Sequence, residues 1–371
     1  PAAAAAALAP DGRGLLALTH RPIPGAGSQD PVGTWEADDG PYAELLARTT
    51  PGVRWESVVN DARVSPLDAV EWMIGRTWQP PFNPINQVWV NAMVRRTEEQ
   101  GSPLLLTGSA GNATFSRDSA GIVRGLVRER RLGAVLRQAR ARHHAGASWP
   151  DAVRSVGREG APERLLAWAR ARRGIASRQD HPLSTADLPV RRERISAAAV
   201  ARLDLVEGRI PASRSGWIDF ALTDQSRIGT AQNLSPTVWW SDPLSDPEVV
   251  ELALRLPEEA WIANGWDRGL ARAAGVGLVP EAVLWRRTRG AQAADVAAWV
   301  AGTEPAYRSL VERFRASASV PEFIDLDALE RAIGAGLADP VVAPWWQNVY
   351  GRAFALGRFA LWYEEEVLRP A

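Results

Sequence analysis

Three groups of residues in this chain have types and spacing suited to chemistry. The first is the run Thr107, Gly108, Ser109, Ala110, Gly111 and Asn112. Its small side chains let a backbone turn sharply and approach a ligand closely while offering N–H and hydroxyl donors. The second is the cluster Arg286, Arg287 and Arg289. A guanidinium stabilises a phosphoryl oxygen through two parallel hydrogen bonds, but it does not readily give or take a proton. Surface salt bridging is the competing reading of these arginines. The third is His20, at the end of an apolar run, where a hydrogen-bonded structural histidine competes with a functional one.

These groups need a scaffold that presents strand ends. Leu104, Leu105 and Leu106 form an unbroken apolar run between Gly101 and Gly108, which predicts a strand buried on both faces. Leu15 to His20 and Val53 to Val59 predict two more, with an amphipathic helix pattern from Asp38 to Thr50 between them. This alternation predicts an α/β fold in which residues 1–117 form a parallel sheet containing all three strands, and residues 118–371 a mainly helical part. Ligands of such sheets sit beyond the carboxyl ends of strands, where His20 and the Thr107 to Asn112 loop fall. Trp89, Met93 and Thr97 form a helix stripe read as core, with Asn83 and Asn86 at its start as capping residues or, alternatively, substrate contacts. Further stripes at Val249, Leu252, Ala253 and Leu256, and from Trp345 through Val349, Ala353, Leu356 and Ala360 to Tyr363, read as packing. Pro1 with Ala2 to Ala7 reads as a helix start, and Gln179 to Pro189 as a flexible connection.

Composition narrows the function classes. The 371 residues carry 43 basic and 43 acidic side chains, so no global charge argues for nucleic acid or an anionic membrane as partner. Every basic residue is arginine, so chemistry that needs a flexible ammonium has no lysine to supply it. There is no cysteine, which removes disulfides, thiolate metal sites and a cysteine nucleophile from this chain and fits a cytoplasmic protein. No apolar run reaches the length of a membrane span. Between Ile122 and Arg178 stand 14 arginines against 4 acidic residues. That balance reads as solvated helix faces in preference to a surface for an acidic partner.

Two stretches carry a family resemblance. PLLLTGSAGNATFS, from Pro103 to Ser116, resembles the LTGEGGDELFGGY strand and loop of the asparagine synthetase family. From Ser241 to Asp295, SDPLSDPEVVELALRLPEEAWI and then WDRGLARAAGVGLVPEAVLWRRTRGAQAAD resemble SPFLDHRLVEFALRLPPE and then RTKYLLREALRGLLPPEVLWRRKKGFQ of the same family. The resemblance extends over the whole chain as a synthetase domain without the amino-terminal glutaminase domain. It implies a sheet of the adenine-nucleotide alpha-hydrolase (PP-loop ATPase) type, with ATP and Mg2+ as cofactors. It also implies activation of a small-molecule or peptide carboxylate as an acyl-adenylate for attack by an amine. By position, Leu18, Thr19 and His20 match FTVGFPG, whose backbone passes the adenine ring, and Thr107 and Gly108 match nucleotide contacts. Ser109, Arg286, Arg287 and Arg289 take catalytic positions, Asn112 the metal-side position, and Asp224 matches a family aspartate. The family's SGGLDSS pyrophosphate loop belongs just before residue 1, so the sequence in hand is expected to bind ATP weakly.

The departures from the family pattern are chemical. Ser109 stands where the family has glutamate, Asn112 where it has aspartate, Ala113 where it has a second glutamate, and Thr288 at the catalytic lysine. Losing these groups takes away the obvious metal and proton-transfer residues, which argues against asparagine synthesis proper. GAQAAD, from Gly290 to Asp295, resembles the GLQAAD form of lasso-peptide macrolactam cyclases, a divergent branch of the family. Three readings therefore stand: an amide ligase of the synthetase type, an ATP-dependent peptide cyclase, and a non-catalytic relative that kept the fold. The expected partner is a carboxylate substrate, with neither nucleic acid nor membrane. The assembly is left open, a homodimer being one option.

Overall fold

The computed structural model describes residues 14–26, 35–59, 61–78, 84–117, 121–144, 146–162, 237–263, 265–338 and 343–368, with Pro80, Leu165, Trp168 and Arg172 besides. The helix start at Pro1, the connection at Gln179 to Pro189 and Asp224 lie outside them. Leu15–Arg21 (β1) and Val53–Val59 (β3) pair in parallel, from Leu15 opposite Val53 to Arg21 opposite Val59. Parallel strands need a crossover, and here it carries the short strand Trp35–Glu36 (β2) and the helix Gly40–Thr49 (α1).

Helix Pro66–Thr77 (α2) starts where its sequence says it should. Ser65 accepts from Leu67 N at 3.1 Å, Asp68 accepts from Ser65 N at 3.3 Å, and Pro66 occupies the first turn, where its missing N–H costs nothing. Helix Pro84–Glu99 (α3) buries Ile85, Val88 and Val94 and packs on β1, on β3 and on the strand Leu104–Leu106 (β4).

β4 departs from expectation. It pairs in parallel with Trp239–Ser241 (β5), Leu104 opposite Trp239, and does not join the β1–β3 pair. Leu104 and Leu106 are exposed instead of buried on both faces. An apolar run of three residues fixes neither its partner nor its cover, and α3 covers β4 on one side only. The strands of the two parallel pairs thus come from both sides of residue 117.

After β4 the described chain is mostly helical, as expected. Ile122–Arg128 (α4), Leu132–His144 (α5) and Trp149–Gly160 (α6) close a core around Trp261 and Ile262 with Ile122, Val123, Leu126 and Ala134. Pro247–Arg255 (α7) joins this core through Val250, Ala253 and Leu256, while Leu252, placed in the buried stripe by spacing, faces solvent. A helix of two and a half turns reaches its neighbours through one i, i+3, i+6 row, and that row excludes Leu252.

Val296–Gly302 (α8), Glu304–Ala316 (α9), Leu326–Ala338 (α10) and Ala343–Tyr363 (α11) build the larger core, centred on Trp299, Phe314, Leu329 and Phe354 together with Ile85 and Val88 of α3. Fit is tight there: a Cβ on Gly357 would lie 2.6 Å from the Phe314 ring. No described helix is long and apolar enough to cross a membrane.

Candidate active site

The carboxyl end of β1 carries the first group. The His20 ring lies 6.4 Å from that of Trp89 and 6.1 Å edge-on from that of Trp299. Burial among these indoles lowers its pKa to about 4, so the imidazole is neutral at neutral pH. The Thr19 hydroxyl accepts from Trp55 Nε1 at 3.1 Å, and Leu18 lies opposite Glu56 within the ladder. Just beyond, Arg21 Nε donates to Asp38 at 3.0 Å. That bond holds the Asp38 carboxyl below its usual range, against the opposing effect of partial burial. Ile23 N donates at 2.9 Å to Oδ2 of the fully buried Asp295, whose pKa burial raises. Asp295 Oδ1 and Trp299 Nε1, one helical turn apart, are sealed from solvent without a hydrogen-bond partner.

The second group centres on Arg286. Its guanidinium contacts Asp39, donates from Nε to Thr288 Oγ1 at 2.8 Å, and lies 4.0 Å from the Tyr42 ring centroid. Nη2 sits 3.2 Å from Glu36 Oε2, within ion-pair reach but off the hydrogen-bonding direction. Tyr42 and Thr288 both donate to Glu36, the former at 3.1 Å. Two carboxylates therefore face one guanidinium, and the Arg286 charge is already compensated. Arg289–Gly290 (β6) pairs with β2, and Ala291 N donates to Glu36 O at 2.8 Å, so backbone as well as side chains fix this segment. Arg289 Nη2 donates to Asp267 at 2.7 Å, and the Arg287 guanidinium lies 5.0 Å from the Trp266 ring centroid. Arg272, which sequence reading missed, donates to Asp267 O at 2.7 Å and Arg286 O at 3.0 Å from its place beside Trp266 and Trp285.

The third group begins where β4 ends. Thr107 N donates to Ser241 O at 2.9 Å, extending the ladder, and Ser109–Asn112 forms a 3-10 turn. Ala110 N donates to Asp242 Oδ2 at 2.7 Å and Leu244 N to Asp242 Oδ1 at 3.0 Å, so one carboxylate clamps the turn to β5. Gly108, Ser109 and Asn112 are exposed. The Thr107 hydroxyl, by contrast, is sealed from solvent and has no hydrogen-bond partner among the described residues.

His20, Arg286 and their neighbours are joined through the turn Glu36 to Gly40, in which Asp38 holds Arg21 and Asp39 holds Arg286. The Thr107 to Asn112 loop is tied instead to Asp242 through Ala110 N, and the adjoining Thr114 hydroxyl to Leu244 O. The acidic turn, Asp242 and Arg272 are what sequence reading missed. The signal for the first was the run Trp35 to Gly40, WEADDG, three carboxylates between a proline-rich loop and a helix start.

Comparison with known proteins adds one finding. A family model described as asparagine synthase matches residues 31–364. The chain belongs to the asparagine synthase family. No curated protein and no solved structure matches it. The match covers the Arg286 cluster and the Thr107 to Asn112 loop, while Leu18, Thr19 and His20 precede it. Against the family's metal chemistry the fit is poor, because Ser109, Asn112 and Ala113 offer no carboxylate and Asp242 is occupied by backbone donors. Among the described residues no group of three or more His, Asp and Glu side chains is gathered to hold an ion. For the nucleotide the fit is better by position: the Thr107 hydroxyl, without a partner among the described residues, lies at the carboxyl end of a parallel strand, where ligands of such sheets sit.

Proposed function

We propose that this member of the asparagine synthase family is an ATP-dependent amide-bond-forming ligase. A substrate carboxylate oxygen attacks the α-phosphorus of ATP and pyrophosphate leaves. An amine nitrogen then attacks the acyl carbon, AMP leaves with the bond electrons, and one proton is lost. The supporting observation is the orphaned Thr107 hydroxyl at the end of β4, within a chain matched by the family model over residues 31–364.

In this reading the backbone of Leu18, Thr19 and His20 meets the adenine, and Thr107 and Gly108 meet the phosphate side of the nucleotide. Ser109 offers an exposed hydroxyl beside them. Arg287 and Arg289, the latter paired with Asp267, lie nearest to hand as positive charge, whereas Arg286, held between Glu36 and Asp39, positions the segment that carries them. No step is assigned to Mg2+.

The peptide-cyclase form of this reading is favoured by one contact. Thr288, at the family's lysine position, is engaged with Arg286 and Glu36, so no side chain there acts as the ammonium of asparagine synthesis. The deciding experiment is pyrophosphate release from the natural full-length chain with ATP, given free aspartate in one arm and linear peptides bearing a side-chain carboxylate in the other. Release with peptides only supports the cyclase, and release with aspartate supports the synthetase. No release with any carboxylate overturns both and leaves a non-catalytic relative.

A further inference from the structure

The three helices α4, α5 and α6 form the one strongly basic stretch of a chain whose net charge is zero, and their charges are unevenly paired. Each of their three carboxylates is engaged: Glu129 with Arg131 at 3.6 Å, Asp151 with Arg154 at 2.5 Å, and Glu159 with Arg142 at 2.7 Å. Arg128, Arg130, Arg137, Arg140 and Arg158 are all exposed and have neither an ion pair nor a hydrogen bond among the described residues. Among the described residues, positive charge therefore remains without a partner on these helices.

The same helices expose apolar side chains that a solvated face has no reason to carry. Leu132 is 65% exposed, Leu136 58% and Val153 56%. On α5, Ala134, Gln138 and Ala139 turn inward. At 100° per residue, Leu132, Leu136, Arg140 and Arg137 then fall within one outward arc of about 140°. Leu132, Leu136 and Arg140 follow each other at i, i+4 and i+8, the spacing by which one helix face meets another helix. Trp149, stacked 4.5 Å from His143, and Val153 continue the apolar character on the next helix. Arginine combined with large apolar anchors is the composition of a binding face, since arginine alone would suit water.

We infer that the outward face of α5 docks an acidic amphipathic helix of a partner protein, its leucine-type anchors meeting Leu132 and Leu136 and its carboxylates meeting Arg137 and Arg140. Charge complementarity selects the occupant: a second copy of this face would bring like charges together. This inference is independent of the ligase reading, because none of its residues belongs to the three groups above.

The test uses a synthetic helical peptide with leucines at i, i+3 and i+7 flanked by glutamates, titrated by fluorescence anisotropy against the whole protein. Saturable binding is expected, weakening about tenfold when salt is raised from about 50 to 300 mM. The double variant Leu132→Glu with Leu136→Glu is expected to lose it, and Arg137→Gln with Arg140→Gln to lower it and flatten the salt dependence. A thermal melt identical to wild type excludes misfolding as the cause. Three results would overturn the inference: no binding; equal binding of a peptide of the same composition with the leucines scattered around the helix; or capture by anionic phospholipid vesicles with none by the peptide.

Discussion

A hydroxyl sealed from water without a partner costs about 1–3 kcal/mol, and such a cost persists where a ligand later completes the bond. Thr107 carries such a hydroxyl. Thr107→Val keeps the shape and removes the unpaired atom. The variant is expected to melt at the same or a higher temperature while its affinity for ATP falls about tenfold, roughly 1.4 kcal/mol. A lower melting temperature with unchanged nucleotide binding, read by calorimetry and nucleotide titration, would make the hydroxyl structural. His20 gives a second test, through pH. Its folded pKa of about 4 lies below the ordinary histidine value of 6.5, so between these values the unfolded chain binds a proton that the folded one does not. Stability from this group is fully present above pH 6.5 and is lost as pH falls toward 4. From pH 7.5 to pH 5 the loss is about 2 kcal/mol. His20→Asn has no such titration, so the difference between its denaturant midpoints at the two pH values should be smaller than that of wild type.

At the scale of elements, the segment Trp285 to Gly290 is held against β2 and α1 by a cluster in which removing the single cation leaves two carboxylates facing each other. Arg286→Ala is therefore expected to destabilise the protein by about 1–2 kcal/mol, less than for a fully buried pair because Glu36 and Asp39 are partly exposed to water. Arg287→Ala, over Trp266 and outside that cluster, should leave the melting temperature nearly unchanged and lower turnover by about 10²-fold if its charge acts on the transition state. Equal effects of the two substitutions on stability and turnover would remove the distinction between positioning and catalysis. Gly290 belongs to the same device, since a Cβ there would overlap the Asp39 carboxylate. How much of this was legible in the sequence follows from the range of each interaction. β1, β3 and α2 were readable or locally specified, because periodicity and a capping box act within a few residues. The partner of β4 was not, because Trp239 lies 135 residues away from Leu104 and three leucines carry no register. The arginine cluster was legible as a group, but its compensation by Glu36 and Asp39 was not, since side chains some 250 positions apart meet only through the β2–β6 pairing.

Among the described residues, two larger apolar cores divide the work, beside a small cluster of Val70, Ile74 and Ala355. One gathers α4, α5, α6 and α7 around Trp261, whose Nε1 donates to Thr114 O at 2.7 Å and so ties that core to the segment following the Thr107 loop. The other gathers α8 to α11 around Trp299, Phe314 and Phe354, and reaches the β1 end through Trp299 and His20. The arginine-rich helices thus lie over the first core and the neutral His20 pocket over the second. Separate cores unfold as separate units when few contacts cross between them, and amide exchange reports each unit. Trp261→Ala is expected to cost about 3–5 kcal/mol and to raise exchange first across residues 122–160, leaving residues 296–316 protected. Phe314→Ala, of similar cost, should do the reverse and, by loosening α8, should also raise the pKa of His20 toward its ordinary value as water reaches the ring. Exchange measured by mass spectrometry on both variants, with an NMR titration of His20, separates the outcomes. Loss of protection over both ranges in either variant would mean that the two cores open together and that the site rests on one cooperative unit.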